Sequence, residues 1–547
     1  MSASFRRNCC PVWLSSLKAR SALTSTTATA CSTACARTSC SACPNVATAG
    51  RAARPVAERY SVEVNRATAT NPFLYLQRNA EANPSGVFFQ TIDQKVLNAD
   101  ALTSVKKIAY EFRQLGMKPG DLVALDLPET LSLLFTEAVF HEAAVSTVLP
   151  RGYVSDGAFP IDWVFSSATP APGAQGGARV VSVDAQFFQR VEQNPLDISP
   201  QEYESEQSIA RLMFSSGTTG QPNGIAFSLA LLEFLAADAL ATYMSGDPFL
   251  VFLPTGTTFG FFGFYMSAKD GREFWSVEAS SPDAIVQLAV RSKATSLKAS
   301  PAQIAAFVDV LEATGQTLPD VQTVYIAGTV MPPALARRMR RAAEGCEVYN
   351  LYGSTEATLA SARYYDSEDP FDAGQLFEGS QVQIVDEDDI ELPAGQTGQI
   401  RQRNPHMVHE YLGNPEATRK VFRDGWFYPG DLGFIRPDGG LTLAGRISEV
   451  LNAGGVKIDP TQLDLFAVTH PLVMDAASFE YNSVAGVKQI GIALVTEDGV
   501  DVQALINGFD ARFGTAAPKL VARIETVPRN AMGKPMRLTL AEMYKES

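Results

Sequence analysis

Hydrophobic and polar positions follow two alternating periods in the first half of the chain. One segment repeats apolar residues at helical spacing, at Val105, Ile108, Ala109, Phe112 and Leu115. Gly116 is typical of a helix end, and the apolar run 122–125 after it predicts a strand. Residues 130–142 predict a second helix and residues 145–149 a second strand. Strands that alternate with helices in this way favour parallel βαβ units.

The same alternation resumes after a stretch with few periodic segments. Residues 150–205 are rich in Pro, Gly, Ser and Ala and predict loops over a sheet edge. Strands are then predicted at 250–253, 323–327 and 347–351, and a helix at 333–343. Short strands and turns predict a β-rich portion at 381–443, and residues 488–527 predict an α+β terminus. The predicted fold class is therefore α/β, with parallel layers, a β-rich portion and a small α+β unit.

Composition places the chain among globular proteins with more than one domain. It has 547 residues, of which 46% are hydrophobic and 19% charged. The 45 basic and 59 acidic residues give a formal net charge of −14, which disfavours a nucleic-acid partner. Because no run of 18 apolar residues occurs, no membrane span is expected.

The amino-terminal segment differs from the rest in charge and cysteine content. Residues 1–57 contain seven basic residues and no Asp or Glu, and their Ser, Thr and Ala content is typical of a transit peptide. Six of the seven cysteines lie there, but the Cys-x2-Cys spacing at Cys40 and Cys43 has no second such pair and no nearby His, which disfavours a zinc site. Residues 1–58 are therefore predicted to be a disordered or targeting tail. The remaining Cys346 favours a reducing compartment, either the cytoplasm or, with a transit peptide, the mitochondrial matrix.

A glycine loop rich in hydroxyl groups follows an apolar run that predicts a buried strand at 212–214. Residues 215–224 read Ser-Ser-Gly-Thr-Thr-Gly-Gln-Pro-Asn-Gly. Gly217 and Gly220 allow positive φ, and successive backbone N–H groups can then converge on an anion. A phosphate-binding loop and an ordinary polar turn both fit this pattern. The loop is not a Walker A motif, because no Gly-Lys-Ser/Thr closes it.

Two later motifs place carboxylates where a nucleotide can use them. Residues 349–357 read Tyr-Asn-Leu-Tyr-Gly-Ser-Thr-Glu-Ala, with Thr355 beside Glu356. A hydroxyl next to a carboxylate suits a phosphate and its Mg²⁺, because Mg²⁺ prefers oxygen ligands. In the motif at 425–433, Asp431 follows a turn and can accept hydrogen bonds from ribose hydroxyls. A purely structural turn aspartate has the same pattern.

Two further motifs contribute positive charge near glycines. The stretch 445–460 contains Arg446, a permanently charged donor, followed by Gly454 and Gly455, which permit close backbone approach. The stretch 528–537 reads Pro-Arg-Asn-Ala-Met-Gly-Lys-Pro-Met-Arg and places Lys534 on a glycine turn. By itself, this lysine fits a surface residue equally well.

In order and spacing, the five motifs resemble the signature of the acyl-adenylate-forming superfamily. That superfamily includes acyl-CoA synthetases, firefly luciferase and the adenylation domains of nonribosomal peptide synthetases. The resemblance extends from residue 70 to residue 537 and is closest in appearance to acyl-CoA synthetases. It implies an AMP-binding domain at 59–446, a hinge, and a small mobile domain at 447–547. It also implies ATP, Mg²⁺ and coenzyme A as cofactors.

The resemblance assigns most of the named side chains to the nucleotide. The ATP β- and γ-phosphates would lie on the loop formed by Ser215, Ser216, Gly217, Thr218, Thr219 and Gly220. Thr355 would contact phosphate, Glu356 would bind Mg²⁺, and Tyr352 would cover the adenine face. Asp431 would bind the ribose hydroxyls, and Arg446 would also contact the nucleotide.

The remaining assignments concern the reaction itself. Lys534 would reach the substrate carboxylate and the α-phosphate while the acid attacks and pyrophosphate leaves. Gly454 and Gly455 would face the incoming pantetheine in the second step, when a thiol displaces AMP. Ser448 occupies the hinge position, where the family commonly has Asp or Lys.

Two more departures from the family pattern concern the phosphate loop and the acyl pocket. Asn223 stands where Lys is common, which removes one charge from the loop. We therefore expect a modestly lower ATP affinity. Thr257 stands near the position of a His in many acyl-CoA members, so we expect different substrate gating.

The acyl pocket is expected between the segment 256–265 and the strand before Gly328. Thr257, Phe259 and Phe261 would line it, and the glycines at 260 and 263 would leave space for an apolar slot, although any single ring can equally be core. No Asp lies between residues 255 and 266 to hold an α-ammonium group. An apolar aromatic or aliphatic carboxylic acid is therefore the predicted substrate class.

Three functions remain open from the sequence. The first is an acid–CoA ligase, and the second is a stand-alone adenylating enzyme that loads an acyl carrier protein. The third is a non-catalytic nucleotide-binding relative, which is disfavoured because Glu356, Asp431, Arg446 and Lys534 are all present. CoA-dependent AMP release without a carrier protein would separate the first two.

Overall fold

The computed structural model describes most of the chain after residue 69. The described residues are 70–149, 161–168, 177–214, 223–237, 248–277, 281–364, 369, 371–377, 379–404, 407–447, 451–453, 456–483, 488–529 and 534–544. All described helices and strands belong to one unit, Asn71–Ser547. The tail 1–58, the loop residues 215–220, Ser448, Gly454 and Gly455 lie outside the described residues.

The described residues form thirteen α-helices. They are α1 (Phe73–Ala82), α2 (Asn98–Leu115), α3 (Glu129–His141), α4 (Ala185–Gln193), α5 (Leu229–Ala237), α6 (Thr258–Asp270), α7 (Pro282–Ser292), α8 (Pro301–Thr314), α9 (Pro333–Ala342), α10 (Pro415–Val421), α11 (Pro460–Ala467), α12 (Val502–Phe513) and α13 (Arg537–Met543). Local residues explain several boundaries. Gly116 ends α2 at φ 91°, as predicted, and the Ser300 side chain caps α8. None of the described helices is long and apolar enough to cross a membrane.

Twelve strands lie before residue 330. They are β1 (Val87–Gln90), β2 (Lys95–Leu97), β3 (Leu122–Asp126), β4 (Val145–Val148), β5 (Trp163–Ser166), β6 (Arg179–Ser182), β7 (Ile209–Phe214), β8 (Gly224–Ser228), β9 (Phe249–Val251), β10 (Phe274–Ser276), β11 (Ser296–Ala299) and β12 (Thr323–Ala327).

Fourteen strands follow in the rest of the described chain. They are β13 (Glu347–Ser354), β14 (Thr358–Tyr364), β15 (Asp372–Leu376), β16 (Gln381–Val385), β17 (Gly398–Arg403), β18 (Phe422–Arg423), β19 (Trp426–Phe427), β20 (Asp431–Ile435), β21 (Gly440–Arg446), β22 (Leu451–Ala453), β23 (Val456–Ile458), β24 (Val473–Asn482), β25 (Lys488–Thr496) and β26 (Leu520–Arg523).

A six-stranded sheet with the order β6-β5-β3-β4-β7-β8 contains the predicted βαβ units. Strands β3 to β7 pair in parallel, and β8 runs antiparallel to β7 with Phe214 opposite Gly224. The sequence segment 215–223 therefore joins two paired strands. The prediction of loops over 150–205 was wrong for β5, β6 and α4. Strand β5 is buried beside β3, but its apolar run is too short to stand out among the neighbouring Pro and Gly residues.

The fifteen-stranded sheet is mixed. Its parallel half has the order β13-β12-β11-β9-β10-β1, and its antiparallel half contains β14 to β21. One face of the parallel half packs under α7, α8 and α9 in a large apolar cluster. The α/β class and the β-rich portion are both confirmed.

The described residues after 455 pack around a separate three-stranded sheet, β24-β25-β26. Its core includes Leu463 of α11, Ile492 of β25 and Phe509 of α12. The predicted α+β terminus is confirmed, although α11 and the ten-residue β24 were not predicted. The proposed domain boundary after residue 446 stays a prediction.

Candidate active site

The hairpin of β13 and β14 presents Thr355 and Glu356 in its turn. The pairing shifts register after Tyr352, and β14 begins at Thr358 with φ 63°, a left-handed value that a β-branched residue rarely adopts. The Ser354 Oγ atom accepts a hydrogen bond from the backbone N–H of Ala357 at 3.1 Å, which fixes the turn. Strained backbone of this kind is concentrated at functional sites.

Three predicted nucleotide ligands meet on the antiparallel half of the sheet. The Tyr352 hydroxyl donates to Asp431 Oδ2 at 2.7 Å, and Arg446 Nε lies 3.1 Å from Asp431 Oδ1. Asp431 and Arg446 are direct register partners on β20 and β21. Their side chains remain 18% and 29% exposed, so both can still meet a ligand. Burial, with the Asp431 charge, raises the pKa of Tyr352 well above its usual value, so this phenol stays a donor.

Glu356 has a partner that sequence reasoning missed. The Tyr411 hydroxyl donates to Glu356 Oε1 at 2.7 Å, and the Glu356 residue is only 7% exposed. Burial raises the pKa of the Glu356 carboxyl, although the hydrogen bond from Tyr411 opposes that shift. The sequence signal that bears on this contact is Asn414-Pro415, which is typical of a helix start. It fixes the position of the segment just before α10, and that segment carries Tyr411. The Asn414 side chain caps this helix through the backbone N–H of Ala417 at 3.0 Å.

The same segment also holds the end of the glycine loop. The Asn223 Oδ1 atom accepts a hydrogen bond from Asn414 Nδ2 at 3.0 Å, and Leu412 N donates to the Gly224 carbonyl at 2.8 Å. Residues 223 and 224 are therefore tied to the segment that carries Tyr411. This tether brings one end of the first motif close to Glu356 of the second.

Arg211 lies on β7, just before the glycine loop, and is buried in the protein interior. It donates to the Thr255 carbonyl at 2.9 Å and to Ser146 Oγ at 3.1 Å, and its guanidinium lies 4.6 Å from the Phe261 ring centroid. Burial lowers the pKa of Arg211 to about 9. Arg211 thus links β7 to β4 and to the start of α6.

Helix α6 begins next to the Thr355 turn. Thr257 is its N-cap and accepts a hydrogen bond from Gly260 N at 3.1 Å, while Thr258 Oγ1 lies 2.9 Å from Thr355 Oγ1. Phe259 is half-buried, whereas Phe261 is buried against Arg211. Thr257 is therefore held at the site as a helix cap.

The expected slot at the two glycines of α6 was wrong. A Cβ atom on Gly263 would lie 2.8 Å from Val251 Cγ2 of β9, and one on Gly260 would overlap the Pro254 carbonyl. These glycines allow α6 to pack directly on its neighbours, so their missing side chains leave no empty space there. The expected lining of the acyl pocket by Thr257, Phe259 and Phe261 stays a prediction.

Gly328 and Lys534 both lie outside the helices and strands. Gly328 follows β12 with φ 103° and is exposed. Lys534 is half-buried and lies next to Pro535, which forms an isolated bridge with Arg529, and Met536 N donates a hydrogen bond to the Pro528 carbonyl at 2.8 Å. The predicted contact of Lys534 with substrate stays a prediction.

His141 and Cys346 are structural in the described chain. His141 is fully buried, with Nδ1 2.7 Å from Glu142 Oε1, as expected for a core histidine. Cys346 is a buried free thiol, and burial raises its pKa to about 11. Neither residue has the exposure that a nucleophile requires.

Comparisons with known proteins find AMP-binding enzymes and CoA ligases. The family model for AMP-binding enzymes matches residues 164–412. The chain is 25% identical to oxalate–CoA ligase from Arabidopsis thaliana, over 79% of this chain and 90% of that protein. It is 26% identical to 2-succinylbenzoate–CoA ligase from Bacillus licheniformis, over 85% of this chain and 98% of that protein. Among solved structures, ATP-bound MatB from Rhodopseudomonas palustris superposes with a TM-score of 0.76 at 22% identity, over 88% of this chain and 99% of that one.

Proposed function

The chain belongs to the acyl-adenylate-forming superfamily, and we propose that it is an AMP-forming acid–thiol ligase. It activates a carboxylic acid with ATP and passes the acyl group to coenzyme A. The observation that carries this proposal is the arrangement of Tyr352, Asp431 and Arg446 in one hydrogen-bonded group, with Thr355 and Glu356 on the adjoining hairpin.

The reaction has two steps because a carboxylate is a poor electrophile. In the first step, an oxygen of the acid attacks the α-phosphorus of ATP and forms a new O–P bond. The bond to the bridging oxygen breaks, and pyrophosphate leaves with its electron pair. In the second step, the thiol loses its proton and attacks the acyl carbon. The acyl C–O bond breaks, and AMP leaves with that electron pair.

The adenosine part of ATP is assigned to the Tyr352–Asp431–Arg446 group. Both carboxylate oxygens of Asp431 are already oriented by neighbours, so it accepts ribose hydroxyls with little reorganisation. The Arg446 side chain stays partly exposed, which suits contact with the nucleotide. The Thr355 hydroxyl, placed by Thr258, is assigned to a phosphate oxygen.

The donor set at Glu356 fits one Mg²⁺ bound together with the nucleotide. Mg²⁺ is usually held by one or two carboxylates while phosphates and waters complete its coordination. The described residues contain no group of three or more His, Cys, Asp or Glu that would form a site from protein ligands alone. When bound, Mg²⁺ supplies positive charge to the phosphate oxygens. Glu356 is held for this role by the Tyr411 hydroxyl.

Lys534 is assigned to the first step only. Its ammonium group would neutralise charge on the acid carboxylate and the α-phosphate as the new bond forms. The glycine loop 215–220 would hold the β- and γ-phosphates, Gly454 and Gly455 would face pantetheine, and Ser448 would be the hinge of a mobile domain at 447–547. These roles rest on the resemblance of the motifs.

The acid is assigned an aromatic or aliphatic body, because ring-bearing α6 borders the proposed pocket. The test is pyrophosphate release across a panel of carboxylic acids, with and without coenzyme A. We expect acid-dependent pyrophosphate release, with AMP and thioester formed when coenzyme A is added. AMP release only with an acyl carrier protein would favour the stand-alone adenylating enzyme. Pyrophosphate release from no acid would contradict the proposal.

The role of Lys534 has its own test. Lys534→Ala should abolish adenylate formation but spare thioester formation from supplied acyl-adenylate. Lys519→Ala is the matched control, because Lys519 lies in the same unit and pairs with Asp510 at 3.3 Å on the surface. Equal loss of both half-reactions in the Lys534 variant would contradict the assignment.

We further propose a cytoplasmic location, or the mitochondrial matrix if residues 1–57 act as a transit peptide. The support is the compositional bias of that segment and the single cysteine that follows it. A fusion of residues 1–57 to a fluorescent protein would show which compartment receives it.

A further inference from the structure

The segment 254–258 joins the two large sheets of the protein. It follows β9 of the fifteen-stranded sheet and leads into α6, and Gly256 lies against β4 of the six-stranded sheet. A Cβ atom on Gly256 would lie 3.3 Å from Val148 Cγ1 at the end of β4. The position of this segment therefore sets where α6 begins relative to β4 and its neighbour β7.

Both backbone groups of Thr255, in the middle of the segment, are held by charged side chains. The carbonyl accepts a hydrogen bond from Arg211 Nη2 at 2.9 Å, and the N–H donates to Glu129 Oε1 at 2.7 Å. Thr255 is 3% exposed and Arg211 is 1% exposed. Hydrogen bonds to charged groups are roughly twice as strong as those between neutral groups, and a low-dielectric interior strengthens them further. The segment is therefore fixed from two sides at its buried residue.

The core of the six-stranded sheet fixes Arg211 in turn. Its Nη1 donates to Ser146 Oγ on β4 at 3.1 Å, and its Nε lies 3.3 Å from Met213 Sδ on β7. The guanidinium carbon also lies 4.6 Å from the centroid of the Phe261 ring on α6. Because each guanidinium nitrogen contacts a different neighbour, the side chain holds the segment 254–258 in one place relative to β7, the strand that leads into the glycine loop.

The same segment ends at a hydroxyl pair in the candidate active site. Thr257 N donates to the Pro254 carbonyl at 2.9 Å, which closes a turn, and Thr258 is the next residue. Thr258 Oγ1 lies 2.9 Å from Thr355 Oγ1. A hydroxyl has one hydrogen to donate. When Thr258 donates to Thr355, the Thr355 hydrogen is left for the phosphate oxygen assigned to it.

On the basis of the proposed function, we propose that Arg211 is a positioning residue for the ATP phosphates. It fixes the segment 254–258, which places Thr258 against Thr355 and keeps the Thr355 hydroxyl available as a phosphate donor. The effect is confined to the phosphates, because the ribose is assigned to Asp431 on β20, in another part of the sheet. Removing Arg211 therefore weakens the use of ATP more than the binding of a nucleoside that has no phosphate.

The first arm of the test compares Arg211→Met with Arg211→Lys. Met has no donor for the Thr255 carbonyl, whereas Lys keeps a charged donor. For each variant, kcat/KM for ATP is measured from pyrophosphate release with a saturating acid, and adenosine is titrated as a competitive inhibitor. We expect Arg211→Met to lower kcat/KM for ATP by about 10-fold to 100-fold, the usual effect of losing one hydrogen bond to a charged group. The Ki of adenosine should change by about threefold at most, and Arg211→Lys should recover part of the loss. Equal losses for ATP and adenosine overturn the proposal.

The second arm is a double-mutant cycle between Arg211 and Thr258. Thr258→Val removes the hydroxyl at nearly constant shape, and Thr258→Ser is the matched control that keeps it. We expect Thr258→Val to lower kcat/KM for ATP by about 10-fold and Thr258→Ser to change it by about threefold at most. The double variant should lie within about threefold of Arg211→Met alone, because both changes act through the same hydroxyl pair. Losses that multiply in the double variant overturn the proposal, and so does an unchanged kcat/KM in Thr258→Val.

Arg113→Met controls for the loss of a partly buried arginine. Arg113 lies on α2, pairs with Glu142 at 2.7 Å and donates to the Ser199 carbonyl at 3.0 Å, all outside the segment 254–258. This variant should lower the thermal midpoint but change kcat/KM for ATP by about threefold at most. A loss of kcat/KM as large as that in Arg211→Met would show that destabilisation alone explains the effect and would overturn the proposal.

Two further outcomes are separable. If Arg211→Met does not fold, the cycle is carried out with Arg211→Lys, and losses that multiply there overturn the proposal. Pyrophosphate release from no acid by the wild-type enzyme would contradict the proposed ligase function and the role of Arg211 together. Normal release by the wild type, with Thr258→Val as active as Thr258→Ser, would contradict the role of Arg211 and leave the ligase function intact.

Discussion

Replacing Asp464 should loosen the segment 534–544, which carries Lys534. Arg537, three residues after Lys534, begins α13, and its Nη2 lies 2.7 Å from Asp464 Oδ2 on α11. Its Nη1 donates to the Ser478 carbonyl at 2.6 Å, and Ser478 in turn donates to Asp464 Oδ1 through Oγ at 2.7 Å. The Asp464 and Arg537 side chains are only 13% and 14% exposed. This pair therefore joins α13 to α11 and β24 in the interior.

The expected magnitude follows from that burial. Removing one member of a buried ion pair leaves an uncompensated charge and typically costs about 3–5 kcal/mol, whereas replacing both members with apolar residues costs far less. We therefore expect Asp464→Ala and Arg537→Met each to destabilise the packing around the sheet β24-β25-β26 by about this amount. The double variant Asp464→Leu with Arg537→Met should recover most of the loss, which gives a large coupling energy.

Hydrogen exchange is the suitable assay. No tryptophan follows residue 426, so tryptophan fluorescence does not report on the part of the chain around the sheet β24-β25-β26. Exchange in peptides covering 456–483 and 534–544 reports the local opening free energy. Adenylate formation should fall more than thioester formation from supplied adenylate, since Lys534 is assigned only to the first step. Additive losses in the double variant, or equal loss in both half-reactions, would refute the reasoning.

Three further predictions concern the single residues Tyr411, Asn223 and Glu137. Tyr411→Phe keeps the ring packed on Phe422 but removes the hydrogen bond to Glu356, so kcat/KM for MgATP should fall by about 10-fold or more. The control is Tyr428→Phe, because the Tyr428 hydroxyl contacts Asp389 at 3.0 Å. This control variant should leave kcat/KM for MgATP nearly unchanged. Asn223→Lys should lower the KM for ATP, because it adds a positive charge to the phosphate loop. Asn223→Ala, which loses the hydrogen bond from Asn414 without adding charge, should not lower it. An unchanged KM in the Lys variant would contradict the expectation that Asn223 lowers ATP affinity. Burial raises the pKa of Glu137 from 4.5 to about 8. Between pH 5 and pH 8 the folded state therefore retains a proton that the unfolded state has lost. The free energy of unfolding should fall as pH rises through this range, by at most about 1.4 kcal/mol per pH unit. Glu137→Gln should flatten that dependence in urea titrations, and an unchanged slope would show that Glu137 titrates normally.

Local patterns were enough to locate several elements and the order of the motifs. The helix that ends at Gly116, the strand 323–327 and the strand before the glycine loop were each located correctly from periodicity and end signals. These signals work because a helix or strand is selected mainly by residues within one or two turns of one another. Strand β5 and helix α11 were missed because their apolar runs are short and lie between Pro and Gly residues.

The sequence by itself determined which chemical groups are available, whereas the tertiary structure decided which of them meet. Tyr352 reaches Asp431 only because the sheet order places β20 and β21 beside the β13–β15 hairpins, and Glu356 meets Tyr411 across 55 residues of chain. The glycine of α6 at 263 looked like space for a substrate, but β9 fills that space. Such contacts depend on strand order and layer packing, which are non-local and leave no periodic signal in the chain.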